Sequence, residues 1–260
     1  MVRLVPFVVI GAFAAGLSDP GPGLARPRSA GGVSLDLAVH AAPASSRPIA
    51  PVAVPLPAVP RLTVARLQYD GGGDWYANPS SLPNLIAAIN ERTTLKVDPA
   101  EARVTLMDDR LFDYPFLHAT GHGNIHFSDS EIRRLREYLA RGGFLHVDDN
   151  YGLDESFRRE IARVYPDRPL VDVPLTHPIY HIVYDFPRGI PKIHVHDGKP
   201  ARGFGIFLGD RLVVYYSFSS DLGNGWEDVG TYDDPPPLHE AALRMGVNLF
   251  VYAVTSRPTA

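Results

Sequence analysis

The chain contains no cysteine. That single absence excludes disulfides, thiolate metal sites, lipid attachment through a processed N-terminal cysteine and any thiol nucleophile. An exported protein can dispense with disulfides when its core is large enough, and a chain of 260 residues meets that condition. Positive charge is not in excess either. The 25 Lys and Arg are outnumbered by 29 Asp and Glu, for a formal net charge of -4, so no nucleic-acid surface is indicated. The apolar segment Leu4 to Leu17 falls short of the roughly 20 residues a membrane helix requires. No internal repeat is visible.

The N-terminus is Met1-Val2-Arg3 followed by that apolar segment, the arrangement of a secretory signal. Ala12-Phe13-Ala14 and Gly23-Leu24-Ala25 are both small-x-small cleavage candidates; an uncleaved anchor is the competing reading. Ser18 to Pro60 is rich in Pro, Ala, Gly and Ser and has no apolar periodicity, so it cannot bury enough surface to offset its ordering entropy. The organisation expected is a signal or short anchor over 1–25, an extended Pro/Ala-rich disordered linker over 26–60, and a folded domain over 61–256. The localisation expected is the periplasm or the cell exterior, with membrane contact only through a retained N-terminal segment.

Within the domain, Gly142 to Asn150 sets the pattern: a helix stop, the short apolar strand Phe144–Val147, then Asp148-Asp149-Asn150. In open parallel sheets, ligand-binding groups gather beyond the carboxyl ends of the strands. Ser128, Asp129, Ser130 and Glu131 form a capping box ahead of an apolar face of Ile132, Leu135, Tyr138 and Leu139, with Glu137 and Arg141 spaced for an i,i+4 pair. Further helices are expected from Ser81, from Asp154 as cap, and from about Leu238 to Tyr252. Strands are expected at Leu62–Tyr69, Leu95–Val97, Val104–Met107, Pro115–Thr120, Leu170–Val173, Ile182–Phe186, Lys192–His196, Gly203–Leu208 and Arg211–Phe218, with a hairpin signal at Gly209-Asp210.

Four of the turns after strands carry polar groups. The first holds Asp70 and Gly72-Gly73-Asp74-Trp75-Tyr76, the second His122 and Asn124, the third Asp148 and Asp149, and the fourth Asp221, Trp226 and Glu227. If their strands are neighbours, carboxylates and a histidine converge on one rim, a crowding that a cation, a partner or shared protons must relieve. Asp148, Asp149 and His122 are the catalytic candidates. Gly72, Gly73, Asp74, Trp75, Tyr76, Asn124, Asp221, Trp226 and Glu227 are the ligand-binding candidates, with the aromatic rings available to stack on a sugar. The competing expectation is that Asp148 and Asp149 cap the following turn and that the Gly-Trp-Glu loop merely packs. His194 and His196 have a metal-like spacing of two that is commonly surface or core.

Taken together, these motifs resemble a known family. Gly71-Gly72-Gly73-Asp74-Trp75-Tyr76, Leu111-Phe112-Asp113-Tyr114-Pro115-Phe116, Thr120-Gly121-His122-Gly123, Gly142-Gly143-Phe144-Leu145 with Asp148-Asp149, and Asp221-Leu222-Gly223-Asn224-Gly225-Trp226-Glu227 are similar to an uncharacterised bacterial domain family without an assigned activity. The likeness covers about Arg61 to Ser256. It implies an α/β three-layer sandwich with a mostly parallel sheet, class I glutamine-amidotransferase-like and flavodoxin-like, with an added C-terminal β-hairpin. Amidotransferases of that fold use a cysteine on a strand-to-helix turn. Here the corresponding strand end holds Asp148-Asp149-Asn150, so glutamine hydrolysis through a thiol is excluded. Three functions compete: a hydrolase using an aspartate as base or nucleophile, a divalent hard-cation site for Ca²⁺ or Mg²⁺, and a non-catalytic envelope module that binds a polar small molecule, a glycan or a partner.

Overall fold

The computed structural model describes residues 62–196 and 198–256. The signal and linker expectations fall on residues outside this range. Seven strands form one sheet: β1 (Val64–Leu67), β2 (Ala102–Val104), β3 (Phe116–Gly121), β4 (Phe144–Asp149), β5 (Val171–Asp172), β6 (Arg202–Leu208) and β7 (Arg211–Phe218). Their order is β2-β1-β3-β4-β7-β6-β5. The pairings from β2 across to β7 are all parallel, whereas β6 runs antiparallel to both β7 and β5. The β6–β7 hairpin turns at Gly209-Asp210, as its sequence signals.

Four helices cover the two faces. α2 (Asp129–Ala140) and α3 (Asp154–Val164) bury Leu135, Leu139, Phe157 and Ile161 against Leu67, Leu117, Leu145 and Val147. α1 (Ser81–Arg92) and α4 (Pro236–Thr255) bury Leu85, Ile89, Leu249 and Phe250 against Val64, Phe116, Phe144 and Tyr215. The result is helix on sheet on helix, the arrangement that buries both faces of a parallel sheet. None of the helices among the described residues is long and apolar enough to cross a membrane.

Local chemistry accounts for most of the boundaries. The capping box of α2 forms as written: Ser128 Oγ accepts from Glu131 N, and Glu131 reaches back to Ser128 N at 2.8 Å. Arg141 and Glu137 pair at 2.8 Å. Asp154 does not cap α3; Leu153 holds that position and Asp154 is the first helical residue, where its charge still favours the helix N-terminus.

Three expected strands do not form, and the one expected at Val104–Met107 lies instead at Ala102–Val104. Residues 95–97 make only the single bridge of Val97 to Leu62. Residues 182–186 lie over α4, and the amides of Val183 and Tyr184 donate to the Asn248 side chain at 3.2 and 2.9 Å. That buried amide also donates to the carbonyls of Ile179 and Tyr184 at 3.0 and 2.8 Å, satisfying locally the backbone groups a sheet would otherwise take. Residues 192–196 form no strand either. A backbone bond from Ile193 N to Ser220 O at 2.9 Å ties the segment to the turn after β7, so it passes the carboxyl edge instead of joining the ladder.

Candidate functional site at the carboxyl edge of the sheet

The four polar turns share one edge. The parallel register sets Thr120 beside Asp148 and Gly121 beside Asp149, and Asp148 beside Ser217. The turn after β1 docks on the turn after β3: Gly73 N donates to Asn124 O at 2.9 Å, and Asp74 N donates to His122 O at 3.3 Å. A side chain at Gly73 would sit 2.8 Å from His122 O and 2.9 Å from Asn124 O, so glycine there is what lets the two turns meet. Asp74 accepts a short hydrogen bond from His122 N and faces His122 Nδ1 at 3.1 Å. This Asp–His pair is partly open to solvent. Asn124 ties the same turn down, donating to Gly71 O at 3.1 Å and accepting from Arg159 at 3.0 Å. Trp75 packs partly into the core with Tyr76 edge-on beside it, and Tyr76 is exposed, as is Gly72.

The double aspartate divides as adjacent strand residues must, one to each face. Asp148 is fully buried and its oxygens are occupied: Ser217 Oγ donates at 2.5 Å, Leu222 N at 3.1 Å and Gly223 N at 2.7 Å. Burial pushes its carboxyl up to about 7. Behind it runs a sealed polar chain in which His146 Nε2 meets Ser217 Oγ at 2.9 Å and His146 Nδ1 meets His118 Nδ1 at 3.0 Å. The donor order consistent with an ionised Asp148 is His118 to His146 to Ser217 to Asp148. Desolvation lowers both histidines, so they stay neutral. Asp148 therefore anchors the turn after β7 and does not reach the solvent. Asp149 accepts from Tyr151 N and Leu153 N, both at 3.2 Å, and its pKa is raised chiefly by desolvation. It also lines a cleft of about 450 Å³, together with Tyr151, Asp154, Glu155, His196 and Phe218.

The fourth turn needs two corrections. Trp226 is not available to stack on a ligand. It is wholly buried, donates from Nε1 to Ala242 O at 2.7 Å, and lies against His118 and His146. Gly246 of α4 makes room for it, since a side chain there would come within 2.9 Å of the indole. Glu227 is likewise structural, accepting from Ser80 N at 3.0 Å, Ser80 Oγ at 2.9 Å and Ser81 N at 2.9 Å, where it supplies the missing acid at the start of α1.

Asp221 belongs to a different group. His194, His196 and Asp221 each place a ligand atom within 4.8 Å of the others, a cluster capable of coordinating a divalent metal ion. His196 Nε2 lies 2.7 Å and His194 Nδ1 3.9 Å from Asp221 Oδ2. The donor set is imidazole and carboxylate, not the all-oxygen set a hard cation prefers. The histidine spacing was visible in the sequence, but its link to Asp221 was not.

Two further features mark this edge. Among the described residues, positive φ outside glycine occurs at Asn78, Tyr151, Ser219, Asp221 and Asp233, all in turns at or beside it. Such conformations cost of the order of 1 kcal/mol or more and persist where the surroundings impose them. Buried polar atoms without a hydrogen-bond partner among the described residues also gather here: Asn78 Nδ2, Thr120 Oγ1, both amide atoms of Asn150 and Asn224 Oδ1. Asn78 Nδ2 and Thr120 Oγ1 both lie near Gly223. Asn78 and Tyr151 carry no sequence signal, because a lone amide or tyrosine in a turn has no spacing, and Asn150 and Asn224 stand in the motifs without a role that their pattern reveals.

The fold and this edge define an open α/β domain with its polar cleft at the carboxyl ends of parallel strands. The chain belongs to the family described as Domain of unknown function (DUF4159), whose model matches residues 63–254, in agreement with the resemblance read from its motifs. A search of curated proteins found no match.

Proposed function

We propose that this chain is an exported protein that binds a hydroxyl-rich polar ligand, a glycan or a fragment of one, in the cleft beside Asp149, and that it hydrolyses that ligand. The observation that carries the reading is the composition of the cleft. Asp149, Asp154 and Glu155 offer carboxylate oxygens to hydroxyl donors, while the rings of Tyr151 and Phe218 offer apolar surface to the C–H faces of a sugar. Tyr151 takes the aromatic role expected of Trp226, being exposed and lying 5.1 Å from the His196 ring.

Asp149 suits proton transfer because burial raises its carboxyl while one side still meets the cleft. The Asp74–His122 pair is a second acid–base couple on the same rim. Without cysteine the reaction is not glutamine hydrolysis through a thiol. The order β2-β1-β3-β4-β7 supports a flavodoxin-like, class I amidotransferase-like reading of the fold. Export is supported by Met1-Val2-Arg3 ahead of the apolar segment.

The test is calorimetric titration of the full chain with neutral and acidic oligosaccharides, followed by an assay for newly released reducing ends. Wild type should bind and cleave at least one class, Tyr151→Ala should weaken binding about tenfold, and Asp149→Asn should retain binding and lose cleavage. Absence of binding to every oligosaccharide sinks the proposal; binding without cleavage reduces it to a recognition module.

A further inference from the structure

The site that the loop geometry builds most completely lies at one end of the cleft. We propose that His194, His196 and Asp221 bind a single divalent transition-metal ion of the Zn²⁺ class, with a coordination position left open towards the cleft. Distance, orientation and access each point to this site, whatever the cleft binds.

The first is distance. In a tetrahedral site with bonds of about 2.0–2.1 Å, neighbouring ligand atoms stand about 3.3 Å apart. The two observed histidine-to-Asp221 separations, 2.7 and 3.9 Å, bracket that value. Small rotations of the two imidazoles suffice, because His196 is a third exposed and the segment carrying both rings is not held in the sheet.

The second is orientation. His194 Nε2 lies 2.9 Å from Asp234 Oδ1, and Asn224 Nδ2 donates to His194 Nδ1 at 3.0 Å. The ring therefore carries its proton on Nε2, held by a carboxylate, and keeps an Nδ1 lone pair on the Asp221 side, taken by the Asn224 amide and 3.9 Å from Asp221 Oδ2. A metal-ligating histidine is commonly held in this way, with its second nitrogen donating to a carboxylate. Tyr232 lies edge-on to the same ring at 5.2 Å and is itself tied to Asn78 at 3.1 Å. Metal binding requires the Asn224 amide to move aside, and a small pocket of about 60 Å³ bordered by Asn224, Tyr232 and Asp234 lies beside it.

The third is access. His196 lines the large cleft while Asp221 is buried, so the cluster meets the cleft on its His196 side. Asp221 holds a left-handed backbone conformation, φ 61°, which persists where the surroundings impose it. Three ligands and an open face are the arrangement of metal sites that bind an exchangeable oxygen. Imidazole with carboxylate selects Zn²⁺, Mn²⁺ or Fe²⁺ over Mg²⁺ and Ca²⁺.

The experiment is a competition titration of the metal-stripped full chain with ZnCl₂ against a chromogenic chelator, with circular dichroism to check folding. Wild type should bind one equivalent of zinc, millimolar Mg²⁺ or Ca²⁺ should leave the affinity unchanged, and X-ray absorption should show imidazole scattering. His196→Ala, at the more exposed ligand, should weaken zinc more than about 100-fold without loss of fold, and Asp221→Asn should do the same where it folds. Asp234→Asn, a positioning change, should weaken zinc about 10–100-fold with an unaltered thermal midpoint of the metal-free protein. No stoichiometric zinc binding by wild type, or equal affinity in wild type and His196→Ala, overturns the site. Because the titration uses metal alone, zinc binding without oligosaccharide binding would leave the metal site standing and the cleft reading refuted.

Discussion

Replacing His146 by Gln should change how the protein responds to acid, and the size of the change follows from burial. The ring has no solvent exposure and lies among Phe116, Tyr215, Trp226 and His118. Desolvation pushes its pKa down from 6.5 to about 3. The unfolded chain binds a proton at this residue below about pH 6.5 and the native state does not, so native stability falls as pH drops through that window. The slope approaches about 1.4 kcal/mol per pH unit, or about 2 kcal/mol between pH 7.5 and 5.0.

Asp148 works in the opposite sense. Its raised carboxyl makes the native state take up a proton as pH falls from about 7, so acidification stabilises through that group. That contribution is present in both proteins, whereas His118, lowered chiefly by desolvation and further by His146, is lowered less in the variant, which narrows the gap in the same direction. His146→Gln should therefore lose stability at pH 7.5 through poorer packing, yet close the gap on wild type by about 2 kcal/mol at pH 5.0. Urea unfolding followed by far-UV circular dichroism at the two pH values measures this. A gap that stays constant within about 0.5 kcal/mol would show that the buried ring is not held neutral, and would refute the argument.

The two corrected positions offer sharper contrasts. Trp226→Phe removes the 2.7 Å bond to Ala242 O and leaves a void beneath α4, so it should cost about 2–3 kcal/mol in denaturant unfolding while zinc affinity and oligosaccharide binding stay at wild-type values. A selective loss of ligand with unchanged stability would restore Trp226 to the cleft. Glu227→Gln weakens the charged cap on Ser80 and Ser81 and should lower stability by about 1–2 kcal/mol, again without effect on zinc; an unchanged midpoint would show that the cap contributes nothing.

Much of the architecture could be read from local pattern. The capping box at Ser128, the short run from Phe116 to Thr120 and the glycine pair after α2 each specify their element through interactions within a few residues, and all appear where expected. The meeting of the Gly73 and His122 turns followed from two neighbouring parallel strands ending at the same edge. Failures came where a distant residue intervened. Residues 182–186 alternate like a strand, but Asn248, more than sixty positions away, takes their backbone bonds. Trp226 sits in a Gly-rich turn, which reads as exposed until α4 brings Ala242 and Gly246 over it.

The amino-acid sequence alone determined the class of fold, the family, the exclusion of thiol chemistry and the edge on which polar turns collect, because periodicity, caps and composition act locally or through the regular geometry of strands. Only the tertiary structure decided which polar groups on that edge are spent on holding the protein together and which line the cleft or join the His194–His196 cluster. Asp148, Trp226 and Glu227 look as functional in sequence as Asp149 and Asp221. Their different roles arise from which partners the folded backbone brings within hydrogen-bonding distance, and those of Asp148, Trp226 and Glu227 lie from 16 to 147 residues away.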